Sequence, residues 1–459
     1  MFMLSAGAVL ALFIVFTVGA SRGVSSSSDY AVAGRRATGR SVAGTIMGAL
    51  VGGGATVGTV QMAYQWGVSG IWFTLGSSVA CLVLGLWFVG PLRSVELVTL
   101  PQFLGKEFGR TTAFLVALST SLGSFLSVVA QFLSGVALMR SVFPVSANVG
   151  ALLVGVLIVT FVFLGGIKSF SRLGMWKIAF LYAVMILCIV MVVAKGWTPW
   201  KIASALPAEP YFNPLARGPA KDLGALGSLV LGVLCGQIYI QAVYTAANDR
   251  EARKGCLWAS LLIPPMGFLG VWLGLFMRAS GVVVQADQAL PHFIRSTFHP
   301  LVGGVLWSGI LIAVLGTAVG LSLGVATNMT RDIVLPLRRD AATMTDRKIL
   351  SISRLAVVLV VLGAGLAARA AGSSMILQWA YLAMGIKASG IFVILLAAVT
   401  WPGRLPGLWS ALSVLGGLVG VLLGALFLKG VDPLFPGVLL SAAVAAAGGA
   451  MGMRKNGLQ

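Results

Sequence analysis

Apolar residues in this chain come in runs of about twenty. These runs are too evenly apolar for the one-sided stripe of a soluble helix and too long for the alternation of a strand. A run of that length matches the hydrocarbon thickness of a bilayer crossed by an α-helix. Thirteen runs are predicted as spans, at 3–20, 43–66, 69–91, 111–139, 148–166, 174–195, 222–248, 256–279, 301–329, 350–368, 374–400, 406–428 and 434–452. Short segments that are basic, polar or rich in Pro and Gly separate them. The expected fold class is an all-α polytopic membrane protein.

Two runs are interrupted. Val42 to Gly67 carries Gly52, Gly53 and Gly54 at its midpoint, followed by Ala55 and Thr56. Glycine costs about 1 kcal/mol against alanine in a helix interior, so three in a row invite a break. Broken backbone at membrane depth survives where it is buried or lines a wet cavity, and its freed carbonyls and N–H groups can bind ions and solutes. Close helix packing through small residues is the alternative use of the same glycines. Five spans later the run 222–248 has a second weak point at Leu234-Cys235-Gly236-Gln237. An odd offset reverses orientation in the membrane, which is the arrangement of two inverted repeats, each opening with a discontinuous helix. The expected organisation is an extra N-terminal span and cytoplasmic loop (1–42), a first repeat (43–195), an outer loop (196–221), a second repeat (222–400) and two peripheral C-terminal spans (401–459).

Composition narrows function. The 459 residues are 58% hydrophobic and 10% charged, with 59 glycines and a mean hydropathy of +0.99. A net charge of +20 would suggest nucleic acid in a soluble protein. Here the basic residues sit mostly in short loops, where the positive-inside rule explains them. With the N-terminus outside and the C-terminus cytoplasmic, twenty of the 32 Lys and Arg fall inside and nine outside, while Lys177, Arg354 and Lys387 fall within spans. No basic residue precedes the first run, which favours a retained span over a cleaved signal. Cys81, Cys188, Cys235 and Cys256 show no metal or disulfide spacing. All twelve acids lie outside the apolar cores, and His292 and His299 lie in an outer loop. That removes the intramembrane carboxylate or histidine a proton relay usually needs, along with the metal clusters and acid pairs of a membrane enzyme.

Several segments together resemble the sodium:solute symporter family. These are SSSSDYAVAGRR after the first span, GALVGGGATVGTVQMAYQWGVSGIWF across the broken run, VTLPQFLGKEFG, FLGGIKSF, GQIYIQAVYTAAND at the second break, and LIAVLGTAVGLSLGVATNMTRDIV. The likeness covers roughly residues 1 to 430. It implies a leucine-transporter-type core of five plus five inverted helices and secondary transport of a small solute, normally coupled to sodium, with no other cofactor.

By that resemblance one sodium would sit between the first break and the ninth span. Carbonyls near Val51 and Gly54 would face Ala313, Gly316 and Thr317. Hard oxygens suit sodium. The chain departs from the family twice, because Gly316 stands where a serine is usual and Gly174 where many members have Asp. Lys177 follows one turn after Gly174, on a similar face. Its ammonium could fill a sodium position as a built-in cation, weakening or removing the coupling. Alternatively it lies near the cytoplasmic end and snorkels to water.

The candidate solute site comprises Gly53, Ala55 and Thr56 at the break, with Gln61, Ser77 in the third span, Gln131 in the fourth, Cys235, Gly236, Gln237 and Tyr239 in the seventh, and Lys387 in the eleventh. Lys387 has no acid in any core to pair with. A buried unpaired ammonium is costly, so it faces a wet cavity, deprotonates or meets an anionic ligand; a carboxylate-bearing solute is the functional reading. Gln131 and Gln237 can equally be glue between helices, and Thr56 and Ser77 can back-bond to their own helices.

A sodium-independent uniporter or exchanger, a membrane sensor and a channel are the other readings. A sensor would need a signalling domain, and none is expected in a chain ending at Gln459. A channel would need a repeated filter motif. Sodium-coupled symport in the cell membrane is the expected function, with a small-molecule solute, sodium and the lipid bilayer as partners. No nucleic-acid partner is expected, and a monomer would suffice.

Overall fold

A computed structural model describes residues 1–21, 35–95, 97, 99–143, 145–338, 344–428 and 430–456. Most of the loop SSSSDYAVAGRR lies outside them. Among the described residues no strand forms, and nine helices are long and apolar enough to cross a membrane, or ten if one bent pair counts as a single span. Two shorter apolar helices, Phe2–Val15 and Ala147–Phe163, add to these. Length and composition therefore do not reproduce the thirteen expected spans one for one, because broken spans divide into pieces and neighbours merge.

The chain opens with α1 (Phe2–Ser21). The first broken span follows as α2 (Gly39–Leu50) and α3 (Thr59–Trp66), joined by a turn at 51–53 and a π-helical turn over Gly54–Gly58. Then come α4 (Trp72–Val83), α5 (Arg110–Val142) and α6 (Ala147–Ala194). The backbone of α6 stays helical through FLGGIKSF, between the separately predicted spans 148–166 and 174–195. That stretch has no proline, and two glycines cost only about 2 kcal/mol in a helix. The side chains of 164–175, including position Gly174, lie outside the described residues. The two apolar segments of α6, Ala147–Phe163 and Trp176–Ala194, are the two predicted spans.

The second broken span is α7 (Pro219–Leu234) and α8 (Gln237–Thr245), bent by 42° at Cys235–Gly236. It is followed by α9 (Asp249–Ala279), α10 (Pro300–Asn328), α11 (Asp346–Ala371), α12 (Ile376–Thr400), α13 (Gly407–Phe427) and α14 (Leu434–Asn456). Both interruptions fall at the predicted positions, and the architecture is a five-plus-five inverted-repeat core.

The triglycine serves both suggested purposes. A Cβ on Gly52 would lie 2.2 Å from Thr317 Oγ1 on α10, one on Gly53 2.2 Å from Ser134 Oγ on α5, and one on Gly54 3.1 Å from Phe73 Cζ on α4. The chain breaks there and is approached closely on three sides at once.

The two ends of the core are tied differently. At the end carrying segment 196–221, Gly67 adopts φ +59°, and a Cβ there would lie 1.8 Å from Tyr211 O, so only glycine fits. Asp222, fully buried, accepts from Ser69 Oγ and from Arg217 Nε, each at 2.7 Å, and Trp72 Nε1 donates to Pro214 O at 2.7 Å. At the opposite end Arg93 donates to Asp249 at 2.8 Å and to the carbonyls of Val243 and Ala246 at 2.9 Å.

The C-terminal pair is less peripheral than expected. Cβ atoms on Gly417 and Gly437 would lie 2.1 Å from Ser389 O and 2.6 Å from Ser389 Cβ, so α13 and α14 press directly on α12. Small residues permit that approach, and in lipid close packing is what drives helices together. Asp432, between the two helices, accepts from Ser228 Oγ at 3.4 Å and caps Leu434 N at 2.9 Å.

Candidate ion and solute site

The last carbonyls of a helix lack intrahelical partners. Ending α2 at Leu50 therefore leaves carbonyls free mid-membrane, at the negative end of the helix dipole. Gly48 O is one of them, and it faces α10, where Thr317 Oγ1 lies 3.0 Å away. Thr317 Oγ1 also lies 3.0 Å from Ala313 O in its own helix. Gly48 O is thus the carbonyl of the break that meets Thr317 Oγ1, and Gly54 O accepts from Thr59 Oγ1 at 3.1 Å.

Lys177 enters this cleft from α6. Its Nζ donates to Gly48 O at 2.6 Å, to Thr317 Oγ1 at 2.7 Å and to Ala313 O at 3.2 Å. The residue is 8% exposed. The snorkelling alternative is therefore corrected: the side chain runs inward to the break because three oxygens await it there. Gly316 lies along its stem, and a Cβ there would sit at ordinary contact distance, 3.6 Å from Lys177 Cδ.

Most of the polar side chains expected to meet solute are held by backbone. Gln131 Oε1 accepts Gly53 N at 2.9 Å. Gln61 Oε1 accepts Ile376 N at 2.9 Å, and Gln237 Oε1 accepts Leu100 N at 3.0 Å. Thr56 Oγ1 donates to Gly52 O at 2.8 Å and Ser77 Oγ to Phe73 O at 2.7 Å. These contacts fit the glue and back-bonding readings of the same residues. Ala55 is buried without a polar side chain.

Another group lacks such partners. Lys387 is 1% exposed, and its stem passes Gly123 of α5, where a Cβ would lie 2.5 Å from Lys387 Cγ. Among the described residues its ammonium has no hydrogen-bond acceptor and no acid. Cys235, at the second break, lies close to it. Tyr239 packs its ring over Gly236, and its hydroxyl has no partner among the described residues. Tyr381, on the helix of Lys387, is likewise unpartnered at its hydroxyl. Its ring lies 6.3 Å from that of Phe73, which covers Gly54, and Arg217 sits 5.3 Å above it. Phe73 and Tyr381 carry no signal in the sequence, where an aromatic in an apolar run looks like packing. Among the described residues no cluster of three or more His, Cys, Asp or Glu could hold a metal.

The sequence is 25% identical over 436 residues to an uncharacterised symporter, YwcA, of Bacillus subtilis (strain 168), covering 88% of this chain and 84% of that one. The structure is similar to a substrate-bound, outward-open Na+-coupled sialic acid symporter, with a TM-score of 0.83 at 16% identity, covering 98% of this chain and 97% of the other. It is also similar to Mhp1, a nucleobase-cation-symport-1 family transporter in a closed conformation, with a TM-score of 0.61 at 12% identity over 92% and 94% of the two chains. These structural likenesses concern the fold. The family model for sodium:solute symporters matches residues 30–423. With two broken helices facing each other in an inverted-repeat core and that match over most of its length, the chain belongs to the sodium:solute symporter family.

Proposed function

We propose that this chain is a secondary transporter that carries a small, carboxylate-bearing organic solute across the cell membrane by alternating access. Membership of its family supports sodium as the ion that accompanies the solute. Lys387 carries the solute reading. It is a buried ammonium beside the second break, with neither acid nor acceptor among the described residues. A charge so placed is costly unless a counter-charge arrives, and an anionic solute supplies one. The hydroxyls of Tyr239, at the second break, and Tyr381, on the helix of Lys387, are unpartnered among the described residues and available to orient it. The N-terminus outside and the C-terminus in the cytoplasm is the topology the loop charges favour.

A thermal-shift screen of the purified protein against small carboxylates, amino acids and sugars, in sodium and in choline, identifies the solute class. Uptake of the hit into proteoliposomes then tests transport. Undiminished uptake and affinity in Lys387→Gln would reject the contact. A second reading, transport without sodium by uniport or exchange, is favoured by one observation: Lys177 stands in the cleft where sodium is expected.

A further inference from the structure

The cleft between α2 and α10 is the sodium position implied by family resemblance, and its donors are the chemistry sodium takes: carbonyl oxygens and a hydroxyl. In this chain those oxygens are already engaged. Lys177 Nζ reaches Gly48 O on one wall and Ala313 O and Thr317 Oγ1 on the other, at 2.6, 3.2 and 2.7 Å. An ammonium has three donors and no acceptor, and here three acceptors meet it. A sodium sharing these oxygens would sit within about 3 Å of a like charge, in a setting where charges are weakly screened. Sodium therefore does not fit this position while Lys177 occupies it.

Three features of the chain build this arrangement. The break after Leu50 frees the Gly48 carbonyl at a helix C-terminus, which favours a cation. Gly316 puts no hydroxyl into the cleft, and the point a Cβ would occupy there lies at ordinary contact distance, 3.6 Å, from Lys177 Cδ. The cleft also offers no carboxylate to Lys177 among the described residues, so neutral oxygens alone hold the charge, as they would hold a monovalent ion.

We infer that the Lys177 ammonium is the resident cation of this site, bridging α2 and α10 in place of a bound sodium and excluding sodium from it. The inference rests on the transport reading only for its consequence, that solute movement does not use sodium at this position. Its test is a binding measurement that needs no solute.

Thermal unfolding of the purified protein, compared in sodium chloride and choline chloride of equal concentration, reads the site. In the wild type, Thr317→Ala is expected to leave the sodium-minus-choline difference unchanged. Lys177→Ala is expected to unfold at lower temperature than wild type in choline. It should regain stability with sodium, and with methylammonium as a free stand-in for the lost side chain, and Lys177→Ala/Thr317→Ala should lose that recovery. A saturable stabilisation of the wild type by sodium that Thr317→Ala abolishes would overturn the inference. So would a Lys177→Ala protein as stable as wild type in choline. If Lys177→Ala does not fold, the wild type and Thr317→Ala decide between the two outcomes. Failure of every carboxylate to be taken up would count against the transport reading and leave this result standing.

Discussion

Gln131 of α5 accepts the backbone N–H of Gly53 at 2.9 Å, so a side chain from one span closes the hydrogen-bond gap opened by the break in another. A buried N–H left unmade costs about 1–3 kcal/mol. Gln131→Leu is therefore expected to destabilise the protein by that order, seen as a lower unfolding temperature in detergent, and to depress uptake because the break loses its fixed geometry. Gln131→Glu, which keeps an acceptor, should retain more of both.

Lys387 predicts opposite signs for stability and transport. Replacing it by Gln removes a buried charge that no acid neutralises, so thermal stability without solute should rise or hold. Apparent affinity for a carboxylate solute should fall on the order of tenfold or more, about 1.4 kcal/mol or greater. Equal losses in both measurements would mean the ammonium is structural.

The glycines at the ion cleft are not equivalent. Gly316→Ala adds a methyl at ordinary contact distance from the Lys177 stem, 3.6 Å, and should cost under about 1 kcal/mol. Gly52→Ala places its methyl 2.2 Å from Thr317 Oγ1 and must push α2 away from α10, a steric cost of about 1–3 kcal/mol. Comparing the unfolding of the two variants checks the closeness of the two walls.

Sequence pattern reached the breaks because helix propensity is local: three glycines, or Cys-Gly flanked by apolar runs, weaken a helix wherever they occur. It placed Ala313 and Thr317 on the far wall through family resemblance. Which carbonyl of the break meets the far wall was not legible, because a helix end frees four and only the neighbouring span decides that Gly48 O, one turn before Val51, lies against Thr317. The pattern left Lys177 between two destinations, since a lysine on an apolar helix can run to water or inward, and that choice depends on a helix over a hundred residues away in the chain. Gln61, Gln131 and Gln237 show the same limit. Their polarity is visible in the sequence, but the backbone N–H each one accepts belongs to a distant segment.

At the end carrying 196–221, Asp222 accepts from Ser69 and from both the backbone and the guanidinium of Arg217. Removing one partner of a buried ion pair typically costs about 3–5 kcal/mol. Asp222→Ala should destabilise by that order and free Arg217 from Tyr381, loosening the cover over Phe73. Limited proteolysis within 196–221, faster in the variant, would report it.

Burial pushes the Asp432 carboxyl above its ordinary value. The folded state then holds this proton more tightly than the unfolded chain, so its contribution to stability is present at low pH and is lost as pH rises from the usual carboxylate range through the raised value. Asp432→Asn should flatten that part of the stability–pH curve, measured by unfolding between mildly acidic and neutral pH.

The contact of Gly417 and Gly437 with Ser389 has a mechanical corollary. Ser389 is two residues from Lys387 on α12, so the C-terminal pair grips the face of that helix turned away from the lysine, whose stem lies against Gly123 of α5. If alternating access is relative rotation of rigid blocks, Lys387 travels with α13 and α14 as one piece. Deleting that pair would then strip the bearing surface from the helix that carries Lys387, and such a protein would fail as a carrier before it failed to insert.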